Sequence, residues 1–387
     1  MKYKKFMFAA MLLASASFMT SCNKEKDKNE GTDDATMTAI AEQFVDHTVI
    51  PTYTTLAAKS QELVDALETL KEQKTDANVK ACANLFLEAR EAWERSEAFL
   101  FGAAADFGID PHIDSWPLDE SAFNSLMSSP DMLAQLEGDN GDVAAGNLGP
   151  SLLGFHGLEY ILFKNGQPKS AAEITTDHLT YAVAVAGDLR NCCYQLEVSW
   201  AGDKAPEEHV ARVEDLELNC TVGGGDYSYG DNLKNAGKAG SIYQSATNGL
   251  MAIVDGSKSI ADEVGTSKIG KPHQGTSDED IHYIESPYSW NSITDFKNNI
   301  ISIQNSYMGG IEGQRDDSKS LHNFIKSKDA DLDAKVVAAI NNAIDKIGAM
   351  DYPFVNNRTS ATAGEAMDAC AAIDDILSEV YTLLSKL

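Results

Sequence analysis

His156 and Glu159 stand three residues apart in the segment Gly154-Phe155-His156-Gly157-Leu158-Glu159-Tyr160. On a helix this spacing puts both side chains on one face, about 5–6 Å apart at Cβ. Leu152, Leu153, Phe155, Leu158, Ile161, Leu162 and Phe163 surround them on nearly every side, so a helix from Pro150 to about Phe163 should be buried. A carboxylate in such a place costs several kcal/mol unless something compensates it. The candidates are a mutual hydrogen bond that fixes helix packing, a basic partner, or a metal ion. Imidazole with carboxylate suits iron, zinc or copper better than calcium or magnesium. Gly154 and Gly157 flank the pair at a helix cost of about 1 kcal/mol each, which points to close approach of another backbone or a ligand.

A second group lies upstream. Arg90, Trp93 and Glu97 share a stripe with Phe86 and Leu100, so Glu97 should face inward, with Arg90 as a possible partner. The loop 102–118 then gathers Asp110, His112, Asp114 and Trp116, residue types that are more often functional than Ser or Gly in a loop. Asp114 and Glu97 are the candidate completions of a metal site begun by His156 and Glu159. Other chemistries are poorly served. The glycine-rich stretch Gly223–Gly240 has no preceding strand and no following Lys-Ser or Lys-Thr pair, which argues against a phosphate loop. A zinc peptidase needs His-Glu-x-x-His or His-x-x-Glu-His, but Tyr160 stands where the second histidine of the latter belongs.

The elements that must position these residues read as helices. Apolar residues recur at helical spacing through Leu56–Leu70, Cys82–Leu100, Leu179–Leu196, Ile242–Val264, Trp290–Tyr307, Leu332–Ile347 and Met367–Leu384. Pro51 should interrupt an early helix, and Ser170 with Glu173 should cap the long helix to about Trp200. Residues 138–149, 223–240 and 265–288 read as loops. Alternation with period two is nearly absent. The expected fold is all-α, with two helical bundles of about four helices each, residues 37–222 and 223–387.

The chain has 387 residues and a formal charge of −28, which repels nucleic acid and anionic lipid head groups and attracts cations. Lys2, Lys4 and Lys5 precede an apolar run, Phe6 to Met19, that is too short to span a bilayer but suits a signal peptide. It ends Thr20-Ser21-Cys22, as a lipoprotein cleavage site does. Residues 1–21 are therefore expected to be a signal peptide, Cys22 the lipidated residue, and 22–36 a flexible tether. Membrane association would be through the lipid anchor alone. Five further cysteines have no zinc-ribbon spacing, and most read as core fillers.

Taken together, the Gly154–Glu159 stretch, Ala92-Trp93-Glu94 to Phe101-Gly102, Ile113-Asp114-Ser115-Trp116-Pro117, and Ser289, Asp295, Asn299 with Tyr307-Met308-Gly309 resemble the conserved blocks of the imelysin family, peptidase family M75, over residues 37–387. The first stretch matches its GxHxxE signature. The resemblance implies two bundle-like domains related by a pseudo-twofold, a site in the cleft between them, and a role near iron acquisition with envelope iron-uptake partner proteins. Together with the lipid anchor expected at Cys22, this puts the protein in the cell envelope, as an outer-membrane lipoprotein facing the periplasm or the surface. His156 and Glu159 would hold iron or zinc, and Trp93, Glu97, Asp114, Trp116 and Ser289 would line the site. Two alternatives stay open: a metallopeptidase, and a metal-free module binding a peptide, glycan or protein through Trp93, Trp116 and Trp290.

Overall fold

The computed structural model describes residues 26–387, with side chains from residue 33 onward. Cys22, the expected signal peptide and the start of the tether lie outside the described residues. The fold is all-α. Its only sheet among the described residues is a two-residue pairing of Phe163-Lys164 with Gln167-Pro168. No described helix is long and apolar enough to cross a membrane.

Helix α1, Lys26–Phe44, begins inside the segment expected to be a tether. It is held by Lys328, whose Nζ lies 2.7 Å from an Asp33 carboxylate oxygen, and by burial of Met37, Ile40 and Phe44. Pro51 does not interrupt the chain of helix. A π-turn at Val45–Val49 leads directly into α2, Ile50–Glu72. Proline supplies no N–H to the His47 carbonyl four residues earlier, and the Ile311 amide donates to that carbonyl instead, at 2.8 Å.

Helix α3, Asp76–Glu94, starts where the Thr75 hydroxyl accepts from the Asn78 amide. It buries Val79, Cys82, Phe86, Ala89 and Trp93 at helical spacing. A short helix, α4 (Gly154–Leu162), and the long α5 (Thr176–Ala201) pack with α2 and α3. The Ser170–Glu173 capping box closes a separate 3-10 turn. The long helix has its own box, in which Thr175 and His178 exchange bonds, because Ile174 is extended and breaks the chain between them. In the second half α6 (Ala246–Glu263), α7 (Ser292–Tyr307), α8 (Ala330–Gly348) and α9 (Ala361–Leu384) pack together. One continuous apolar core runs through both halves, and α1 crosses over to pack on α6.

The expected loops hold more structure than glycine and proline content suggests. Short helices occupy Ala103–Asp106, Ile109–Ile113, Asp142–Asn147, Tyr229–Lys234 and Asp278–His282, and a π-turn occupies Val264–Ile269. Each is too short to show a periodic stripe, which is why sequence pattern passes over it.

Candidate functional site

Where α3, α4 and α7 meet, one face of α7 is polar although buried. Ser292, Asp295, Asn299, Ser302 and Ser306 follow one another at steps of three and four, each 2% exposed or less. Asn299 donates to the Glu94 carboxylate of α3, and the Ser302 hydroxyl accepts from the Ala98 amide at 3.0 Å. The halves of the chain are thus joined across polar groups that have no access to water.

Arg90 is the hub of this junction. Its guanidinium is fully buried and bonds the Asp114 carboxylate, Glu285 at 2.5 Å and, one turn along its own helix, Glu94 at 2.5 Å. Asp295 lies 3.9 Å from its Nε. Asp114 also accepts the Trp93 indole N–H at 2.7 Å and bonds His156 Nε2 at 3.0 Å. Lys268, equally buried, sits 3.3 Å from Glu97 and 3.2 Å from Glu285. Glu97 therefore pairs with Lys268 and not with Arg90. A 3-10 turn at Glu97–Phe99 follows α3 and carries Glu97 off the helical stripe that would have brought it back to Arg90.

The His156–Glu159 pair is buried as expected. His156 Nδ1 lies 3.3 Å from one Glu159 oxygen. The other oxygen accepts from the Ser289 amide and hydroxyl, both at 2.7 Å, and from the Tyr288 amide at 3.0 Å. Glu159 is thus saturated by the opposite half of the chain, and its role in the geometry is to orient the imidazole so that Nε2 faces Asp114. The two glycines have different reasons. Gly154 adopts φ +66 at the start of α4, where a Cβ would meet the Ile113 carbonyl oxygen at 1.8 Å. At Gly157 a Cβ would meet the Tyr181 hydroxyl oxygen at 2.2 Å. The close approach predicted from sequence comes from protein groups at both positions.

Seven residues singled out from sequence, Trp93, Glu97, Asp114, Trp116, His156, Glu159 and Ser289, belong to this single network. Trp116 is half-buried, 5.8 Å from the His156 ring and 5.1 Å from Tyr283, with Lys268 5.3 Å from its ring centre. It is the cover of the cluster. Trp93 is fully buried against Phe155 and offers no surface. Trp290 stands apart, against Gly166 and Tyr352. Sequence reading missed Glu94, Lys268 and Glu285 as members. Glu94 had a signal, its four-residue spacing from Arg90. Lys268 and Glu285 come from a segment with no usable periodicity.

The electrostatics are out of balance. Glu94, Glu97, Asp114, Glu159, Glu285 and Asp295 are six carboxyl groups, each 5% exposed or less, against Arg90 and Lys268. Burial, only partly offset by Lys268, pushes Glu97 well above the usual carboxylate range and Glu285 up to about 8. Burial likewise pushes Asp295 up to about 7 despite Arg90. Asp114 goes the other way: burial opposes its charge, but the Arg90 guanidinium wins and holds it well below the usual range. Burial also works against a charged His156, yet its bonds to Asp114 and Glu159 outweigh that and raise it to about 9.

Asp114, His156 and Glu285 each offer a ligand atom within 4.8 Å of the others, as do Glu94, Glu97 and Asp114. Glu285 Oε2 and Asn299 Oδ1 are buried acceptors with no hydrogen-bond donor among the described residues. Six buried carboxyl groups, three of them holding protons, against two permanent cations, together with one imidazole and unpartnered oxygens, make a donor set that fits a metal ion, which displaces those protons as it binds.

The same arrangement of chain is found elsewhere. Iron-regulated protein A of Synechococcus elongatus is 28% identical over 341 residues, 86% of this chain and 83% of that protein. A solved structure from Parabacteroides distasonis, described as a candidate iron-regulated protein A precursor, is 27% identical with a TM-score of 0.75 over 90% of this chain and 95% of that one. An imelysin-like protein from Psychrobacter arcticum has the same fold at 14% identity, with a TM-score of 0.60 over 89% and 93% of the two chains. The imelysin sequence profile, of peptidase family M75, matches residues 49–380, a span that contains every member of the buried network. By its helical fold and by that match, the chain belongs to the imelysin family.

Proposed function

We propose that this protein is an envelope lipoprotein whose buried cluster binds a transition-metal cation, iron or zinc by its donor set, in iron acquisition. The observation that carries this reading is the surplus of carboxyl groups over permanent cations in a dry junction that also holds one imidazole. Asp114, His156 and Glu285 are the proposed ligands. Glu159 orients His156, and Arg90 and Lys268 hold the remaining carboxylates. The iron-regulated names of two relatives agree with an iron role. The lipid anchor at Cys22, an outer-membrane location and envelope iron-uptake partners complete the proposal from the sequence pattern alone. Peptide hydrolysis is less well supported, because His156 is the only imidazole in the cluster and Trp116 with Lys268 covers it.

Equilibrium dialysis of the purified chain against Fe²⁺ or Zn²⁺, followed by elemental analysis, tests the site. One equivalent of bound metal is expected to be lost in His156→Ala and in Glu285→Gln. Metal content unchanged in both variants would overturn it. For the anchor, mass spectrometry of the membrane-extracted protein should find an acylated Cys22 at the N-terminus. Retention of residues 1–21 would overturn that part.

A further inference from the structure

A second constellation lies away from the central cluster. Asp188 and Cys192 are four residues apart on α5 and so share a face. His112, in the last turn of the short helix Ile109–Ile113, reaches the same face, and its Nε2 lies 2.8 Å from Asp188 Oδ2. One nitrogen, one oxygen and one sulfur ligand atom lie within 4.8 Å of one another. Asp188 is 2% exposed, and His112 is its sole ion-pair partner among the described residues. His112 and Cys192 are half-buried and open onto a cavity of about 430 Å³. Phe107, Ile109, Leu216 and Leu218 give that cavity apolar walls, and Asn191 and Gln195 add amides.

The backbone fixes this geometry closely. Gly141, at φ +101, presses against α5 so that a Cβ there would come within 2.3 Å of the Asp188 amide nitrogen. A Cβ on Gly187 would come within 2.7 Å of the Asn140 carbonyl carbon. Asn140 and Gly141 are thereby clamped against α5, and the segment from Gly141 to Gly146 forms the cavity wall beside the three side chains. Cys193, the neighbouring cysteine, is fully buried on another face of the helix, so the two adjacent thiols have separate surroundings.

We infer that His112, Asp188 and Cys192 form a second metal site, for a thiophilic divalent cation of the zinc class, with an open coordination position facing the cavity. A set of one thiolate, one imidazole and one carboxylate selects zinc, cobalt or copper over calcium and magnesium. Three protein ligands with a fourth position open is the arrangement that leaves room for water or a small ligand. Bonds of about 2.0–2.3 Å to a tetrahedral ion separate ligand atoms by about 3–4 Å, so rotation of His112 away from its Asp188 bond closes the set. The thiol gives its proton to solvent as the sulfur coordinates. This site is independent of the proposed function of the central cluster.

Cobalt(II) titration of the full-length chain, purified reduced in mild detergent, tests it. Sulfur coordination gives an intense near-ultraviolet sulfur-to-cobalt charge-transfer band with visible d–d bands. The charge-transfer band should appear, should vanish in Cys192→Ser and His112→Gln, and should persist in Cys220→Ser and His156→Ala. Absence of the charge-transfer band from the unsubstituted chain, or its persistence in Cys192→Ser, would overturn the site. Should Cys192→Ser fail to fold, the unsubstituted chain still decides: Zn²⁺ should protect Cys192 from alkylation, read by peptide mass spectrometry, and equal labelling with and without Zn²⁺ would sink the proposal.

Discussion

Replacing Glu159 separates what its carboxylate does for packing from what its charge does for the site. One of its oxygens accepts from the Tyr288 amide, the Ser289 amide and the Ser289 hydroxyl, at 3.0, 2.7 and 2.7 Å. Glu159→Ala strips an acceptor from all three donors. Each buried donor left unpaired costs about 1–3 kcal/mol, so the upper bound is about 9 kcal/mol. The Ser289 hydroxyl can rotate and Tyr288 is only half-buried, so about 3–5 kcal/mol is the expected loss, a large part of the ~5–15 kcal/mol of a folded domain. Glu159→Gln keeps an oxygen for the same donors but loses the charge and the acceptor facing His156 Nδ1, which should cost about 1–2 kcal/mol. Urea unfolding followed by circular dichroism, in chelator, reads both as midpoint shifts with unchanged slope. If the alanine variant unfolds at the same urea concentration as the glutamine variant, the clamp between the two halves is not what the geometry says it is.

Four further outcomes are expected. Above pH 5 the metal-free protein should become less stable as pH rises to 9. Glu285, raised to about 8, and Asp295, raised to about 7, hold protons in the folded chain that the unfolded chain has released, and His156, raised to about 9, does the same above its ordinary value. Asp114, lowered, acts in the opposite sense only in strong acid; a melting temperature that climbs from pH 6 to 9 would contradict this. Trp93→Phe should keep the packing on Phe155 but lose the indole donor to Asp114, costing about 1–3 kcal/mol by denaturant midpoint, and an unchanged midpoint would count against that bond. Lys268→Met should cost about 3–5 kcal/mol at pH 8, and less at pH 5 where Glu97 and Glu285 take up protons; the reverse order of costs would refute the pairing. A thiol reagent under native conditions should modify Cys192 and Cys220 while Cys82, Cys193 and Cys370 react only after unfolding, and rapid labelling of Cys370 would show the core to be more open than this.

The long helices and the His156–Glu159 pair were legible because both depend on local spacing. A stripe such as Val79, Cys82, Phe86, Ala89 and Trp93 announces its buried face, and two polar residues inside a helix apolar on all sides announce an unusual one. The partners of that pair were not legible. Lys268 sits in a π-turn and Glu285 in a segment without period, so their meeting with Arg90 depends on how distant elements pack. Glu97 misled for a related reason. Its spacing from Arg90 assumes one straight helix, whereas α3 ends at Glu94. The early proline misled because the π-turn before it lets Ile311, a residue far along the chain, satisfy the carbonyl that Pro51 leaves free. The buried polar face of α7 is visible in sequence as a Ser/Asp/Asn repeat, but read alone it looks like the solvent side of an amphipathic helix.

Anomalous diffraction from crystals grown with Fe²⁺ or Zn²⁺ tests most directly whether the buried cluster holds a cation. A peak at coordination distance from His156 Nε2 and from the carboxylates of Asp114 or Glu285 is the predicted result. Crystals carrying metal elsewhere on the chain, with none among these three residues, would contradict it.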